Sequence, residues 1–157
     1  MLEEALDTAD RLKRTLEAEV ERARHEREIL RSLDSDRLFA GASARASFNA
    51  EVAALEARLA SALARAAAEL GLSEVTMSRL KLRAPEEAEA LAACLSDVRA
   101  LAGALAELDR LNLMLAGRAL ACVQGYLTAL APAPTAYDRR GGRTGLVRSV
   151  AAVSSKA

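Results

Sequence analysis

The stretch PEEAEALAACLSDVRALAGALAELDRLNLMLAGRALACVQGYLTALAP, residues 85–132, decides the fold. It opens with Pro85 followed by Glu86 and Glu87. Proline suits the first helical turn, where its missing N–H has no partner to lose, and acids there face the positive end of the helix dipole. No helix breaker appears again until Pro132. The reading is one helix over 85–130, about 45 residues and ~65–70 Å at 1.5 Å per residue. Cys94, Val98, Leu101, Leu105, Leu108, Asn112, Leu115, Ala119, Cys122 and Tyr126 step by four and three along it. This is a heptad seam, the pattern by which helices pack as coiled coils.

A second stripe begins lower down, at Leu113, Ala116, Leu120, Val123, Leu127 and Leu130. Higher up, the same face holds Arg99 and Asp109. The lower half of the helix therefore carries two seams, offset by about 100° and merging into one broad apolar face. One stripe is enough to join a bundle. The other is covered by the first two helices, by a second copy, or by a partner helix laid into a groove. Asn112 interrupts the first seam with a group that needs hydrogen bonds. It either finds a polar partner inside the bundle or contributes to a partner surface.

Working outward, the upstream chain is helical too. Leu2, Leu6, Ala9, Leu12, Leu16, Val20, Ala23 and Leu30 form one stripe over about 2–31. Charged residues between them, Glu17, Glu19, Glu21, Arg22, Arg24 and Glu26, read as a solvated face. Ser32 to Asp36 is a turn. A second helix follows, beginning between Ser35 and Ser43 and taken as 43–70, with Gly41 blurring its start. Its stripe is Phe48, Val52, Leu55, Leu59, Ala62 and Ala66, and Gly71 stops it. A short helix over 73–82, capped by Ser73, leads into the long one. Pro132 and Pro134 then force an extended path. The expectation is an all-α, elongated antiparallel helical bundle over 1–131, with a flexible basic tail over 132–157.

Composition agrees. Hydrophobic residues make up 52% of the 157, but aromatics only 3%, so the apolar mass is Leu and Ala, both helix formers. Basic and acidic residues number 22 each, which argues against a nucleic-acid binder. The tail alone is one-sided, with Arg139, Arg140, Arg143, Arg148 and Lys156 and no acid over 139–157. It is either a solvated end or a contact for an acidic partner. No secretory signal pattern opens the chain, and no uninterrupted apolar run approaches the ~20 residues of a membrane span. A protein that stays in the cytoplasm is expected. Cys94 and Cys122 fall on one helix about 40 Å apart, beyond disulfide reach, and read as small core residues in a reducing compartment. His25 stands alone without a metal-ligand cluster, no glycine-rich loop follows a strand, and the carboxylates are scattered. No cofactor, metal or catalytic residue is expected.

The segment from Leu108-Asp109-Arg110-Leu111-Asn112 to Ala119-Leu120-Ala121-Cys122-Val123-Gln124-Gly125-Tyr126-Leu127, then Thr135-Ala136-Tyr137-Asp138 and Gly141, resembles the C-terminal helix and tail of the FlgN family. The order of elements is similar as well. Family members often repeat an Asn three residues after the first, whereas this chain has Leu115, which enlarges the apolar face. The resemblance implies a cytoplasmic flagellar type III export chaperone for the hook–filament junction proteins, those of the FlgK and FlgL type. It implies that the chain holds their C-terminal amphipathic helix, prevents premature assembly and brings them to the export gate. The implied partner-binding set is Asn112, Leu113, Leu115, Ala116, Leu120, Val123, Leu127 and Leu130, with Tyr137 contacting the gate. The alternative is a structural coiled coil that uses the same seams for self-association.

Overall fold

The computed structural model describes residues 2–130, together with the backbone of two short strands beyond them. Four helices follow in order: α1, Glu3–Ser32; α2, Ser35–Glu69; α3, Met77–Arg83; and α4, Pro85–Leu130. The all-α expectation holds. The strands, β1 at Ala136–Tyr137 and β2 at Arg143–Thr144, pair antiparallel with Ala136 opposite Thr144 and Tyr137 opposite Arg143. That pairing is a local structure that composition did not foreshadow. The rest of 131–157 lies outside the described residues, as does the expected flexibility of the tail.

The caps explain the boundaries. α1 has no side-chain cap of its own. Instead the Leu2 N–H donates to Glu87 Oε2 of α4 at 2.8 Å, so an orphan donor of one helix is satisfied by the first turn of another. α1 ends on Leu33 in the left-handed region, φ 53°. α2 begins at Ser35, the early end of the expected window, because the Asp34 carboxylate accepts from the Arg37 N–H at 3.1 Å. A good cap outweighs the roughly 1 kcal/mol that Gly41 costs inside a helix. α2 ends in a full Schellman turn: Gly71, at φ 67°, lets its N–H reach Ala68 O while the Leu72 N–H reaches Ala67 O. α3 starts at Met77 rather than 73. Thr76 is its cap, and Ser73 Oγ instead accepts from Arg79 Nη1 at 2.8 Å.

The long helices pack up, down and up. Residues of α1 and its cap Leu2 bond residues of α4 at sequence separations between 84 and 89, from Leu2–Glu87 through Lys13–Asp97 to Arg27–Asn112. So nearly constant an offset means that α1 and α4 run parallel in fixed register, with α2 antiparallel to both. The core has two parts. One joins Leu2, Ala5, Ala9, Leu59, Ala62, Ala66, Leu80, Ala88, Leu91 and Cys94, a collection rich in small residues. The other joins Leu12, Leu16, Val20, Ala23, Phe48 and Leu105. Leu2, Leu80 and Leu91 are fully buried, each contributing about 1.5–3 kcal/mol of transfer free energy.

The chain divides into two compact units, Met1–Ala119 and Leu120–Ala157. The change comes inside α4: Leu91, Cys94, Leu105 and Asn112 are buried, whereas every residue from Leu120 to Leu130 is exposed. α4 is long and apolar enough to cross a membrane by length and composition, with a mean hydropathy of 1.3 over 18 residues. Isolated Gly, Gln and Thr residues interrupt the apolar run but hardly lower the mean. Arg118 sits within that apolar half, and an arginine at a bilayer centre costs about 2.5–3.5 kcal/mol.

Candidate partner-binding surface

The site is built on a polar belt across the first unit. Glu19 of α1 is only 3% exposed and takes an ion pair from Arg45 Nη1 of α2 at 3.0 Å. Arg45 also pairs with Asp109 of α4, and its guanidinium lies 5.8 Å from the Phe48 ring centroid. Arg22 closes the arrangement on Glu19. One acid, one arginine and a second acid thus tie α1, α2 and α4 together. The sequence reading placed Glu19 on a solvated face. The structure buries it, because it stands three residues after Leu16 and four before Ala23, on the flank of the apolar stripe itself.

Asn112 completes the belt one turn further along α4. Its Nδ2 donates to Ala23 O at 2.8 Å and to Glu26 Oε2 at 2.9 Å, while Arg27 Nε donates to its Oδ1 at 3.2 Å. Asn112 is buried, so of the two readings open for it the structure selects the partner inside the bundle.

Beside the belt lies a groove of about 530 Å³ lined by Glu26 and Leu30 of α1, Arg45 and Asn49 of α2, and Asp109, Arg110, Asn112, Leu113 and Ala116 of α4. Of its polar lining, Arg45 pairs with Asp109, Glu26 accepts from Asn112, and Arg110 donates to Glu107. Its lip is apolar. Leu113, at 76% exposed, and the half-buried Ala116 belong to both the groove and the second stripe. Leu115 is half-buried on the first seam.

Further along α4, in the second unit, Leu120, Val123, Leu127 and Leu130 are between 40% and 79% exposed. Cys122 and Tyr126, which continue the first seam, are exposed as well. The seam that packs the bundle higher up is therefore uncovered here, a feature periodicity alone does not reveal. The Tyr137 backbone pairs with Arg143 in the strand pair, and its side chain lies outside the described residues.

The thiols differ in kind. Cys94 is buried and donates to Asp10 Oδ1 at 3.3 Å, and burial followed by that bond pushes its pKa up to about 11. Cys122 is an exposed residue and not the core residue expected. Among the described residues, no three His, Cys, Asp or Glu side chains gather as a metal group would require. The surface offers apolar contact and hydrogen-bonded rigidity, the properties of a binding face.

No curated protein and no solved structure matches the chain. The family model described as FlgN protein matches residues 1–145, which takes in all four helices and the strand pair. The chain therefore belongs to the FlgN family, a family of cytoplasmic flagellar export chaperones rather than enzymes.

Proposed function

We propose that this chaperone serves the hook–filament junction proteins, those of the FlgK and FlgL type. It holds their C-terminal amphipathic helix, prevents premature assembly and carries them to the export gate. The observation that supports this most is the exposed stripe of Leu113, Leu120, Val123, Leu127 and Leu130 on one face of α4. The half-buried Leu115 and Ala116 stand at its head. Asn112, bonded inside the bundle, is proposed to hold the head of the stripe in place rather than to press on the partner itself. Tyr137 keeps its proposed role as the contact to the export gate.

Magnitudes favour a cooperative site. Full burial of such a side chain is worth about 1.5–3 kcal/mol, and each is already partly covered, so each gains roughly half of that. Association itself costs on the order of 4–15 kcal/mol before any net affinity appears. No single leucine suffices, and the whole stripe must engage at once. Loss of one position to a charge then removes most of the binding.

Hydrogen exchange over residues 110–131 tests the reading. Amides that exchange fast in the free protein and become protected on adding a C-terminal fragment of either junction protein support it. Protection that depends only on the concentration of this chain, unaltered by the fragments, supports the self-associating coiled coil and contradicts it.

A further inference from the structure

We infer that the second unit also binds an anionic lipid surface, laying Leu120, Val123, Tyr126, Leu127 and Leu130 of α4 into the bilayer interface while the basic residues that follow meet the headgroups. The inference needs only the exposure of that face and stands apart from the docking reading above.

The two compact units carry opposite charge. Met1–Ala119 holds 17 basic residues against 21 acidic, a net of −4, and Leu120–Ala157 holds five basic against one acidic, a net of +4. Asp138 is that single acid. On α4 itself no acid follows Asp109. Acids are repelled by an anionic surface, whereas each Lys or Arg held near one tightens binding roughly fivefold.

The helix has the shape for it. At about 100° per residue, the five apolar side chains fall within roughly 120° of arc. Each is exposed. Gln124, Gly125 and Thr128 fall outside that arc, and the Thr128 hydroxyl donates to Gln124 O at 2.8 Å. Tyr126 stands at the edge of the arc, where a ring with one polar end suits the boundary between headgroups and acyl chains. The helix lies in the interface rather than across it. Residues 120–130 rise only about 16 Å against a hydrocarbon core of ~30 Å. The earlier turns of α4 are held in the bundle through Leu105 and Asn112. An apolar face and a basic segment are the two signals that together hold a protein on a membrane, where one alone binds only marginally.

The chain contains no Trp, so Tyr126→Trp places a single fluorophore on the face. The experiment floats this full-length variant with vesicles of phosphatidylcholine alone and with vesicles one quarter phosphatidylglycerol, and records its emission. The expected result is at least tenfold tighter binding to the anionic vesicles, with a blue shift on binding. Release is expected at about 1 M salt, where the Debye length falls to about 3 Å. Leu127→Asp, and separately Arg139→Glu together with Arg140→Glu, should each weaken binding at least tenfold with helicity unchanged by circular dichroism. Equal affinity for the two kinds of vesicle, failure to float at low salt, or flotation without a blue shift overturns the inference. So does a blue shift that appears only with a C-terminal fragment of a junction protein, which reserves the face for a protein helix. A shift that depends only on the concentration of the chain also overturns it, and places a second copy on the face.

Discussion

Arg45 Nη1 sits 3.0 Å from Glu19 Oε1, an ion pair between α2 and a carboxylate that α1 keeps almost entirely from water. Removing one partner of such a pair leaves the other charge buried, which typically costs 3–5 kcal/mol. Arg22 remains to share Glu19, so Arg45→Met should destabilise the protein by about 3 kcal/mol. The double change Glu19→Leu with Arg45→Met should recover most of that. Urea unfolding of both singles and the double gives the coupling, and an additive result would mean that the pair is a bystander.

Asn112 provides a test of which residues belong to the bundle and which to the surface. Its three hydrogen bonds all go to α1. Asn112→Ala should cost about 1–3 kcal/mol of stability, the usual range for stranding buried polar groups. Fragment affinity of the folded variant should change little. A large loss of affinity at unchanged stability would return Asn112 to the docking face.

The two cysteines should react at very different rates. With its pKa near 11, Cys94 holds on the order of one thiolate in a thousand at pH 8, and it is buried besides. A thiol reagent should modify one group quickly in the folded protein, Cys122, and the second only on unfolding. Because Cys122 lies on the uncovered seam, a bound junction fragment should slow its modification at least several-fold.

Acid should loosen the start of α1. The backbone bond from Leu2 holds Glu87 below its ordinary value of 4.5. A carboxylate lowered in the folded state stabilises it above the unfolded pKa, and that contribution disappears as pH falls through the lowered value. Melting temperature should therefore drop on going from about pH 5 to 3, and Glu87→Gln should flatten the slope. Equal slopes in the two proteins would show that the cap carries no linkage.

The helices were legible because their signals are local. Pro85, Gly71 and the four-three stepping of leucines each act within a turn or two, and α4 and the end of α2 stand where those residues put them. The start of α2 was legible only to within Ser35–Ser43, because Gly41 weighs against a helix, while the Asp34 cap that outweighs it is a single hydrogen bond. The polar belt was hidden for another reason. Arg45 and Asp109 look like ordinary surface charges until α2 and α4 are brought together 64 residues apart in sequence. Glu19 did carry a readable sign, an acid set at core spacing between Leu16 and Ala23. The candidate face was half legible: periodicity drew both seams on α4, but only the packing reveals that cover stops at Ala119 and that Cys122 and Tyr126 are open.

The most direct test is calorimetric titration of the protein, and of Leu120→Asp and Val123→Asp, with C-terminal fragments of the two junction proteins from the same organism. Saturable binding by the parent, abolished in both variants while their helicity stays nearly intact, is the predicted result. No binding of folded parent protein to either folded fragment would contradict the account and leave the self-associating coiled coil in its place.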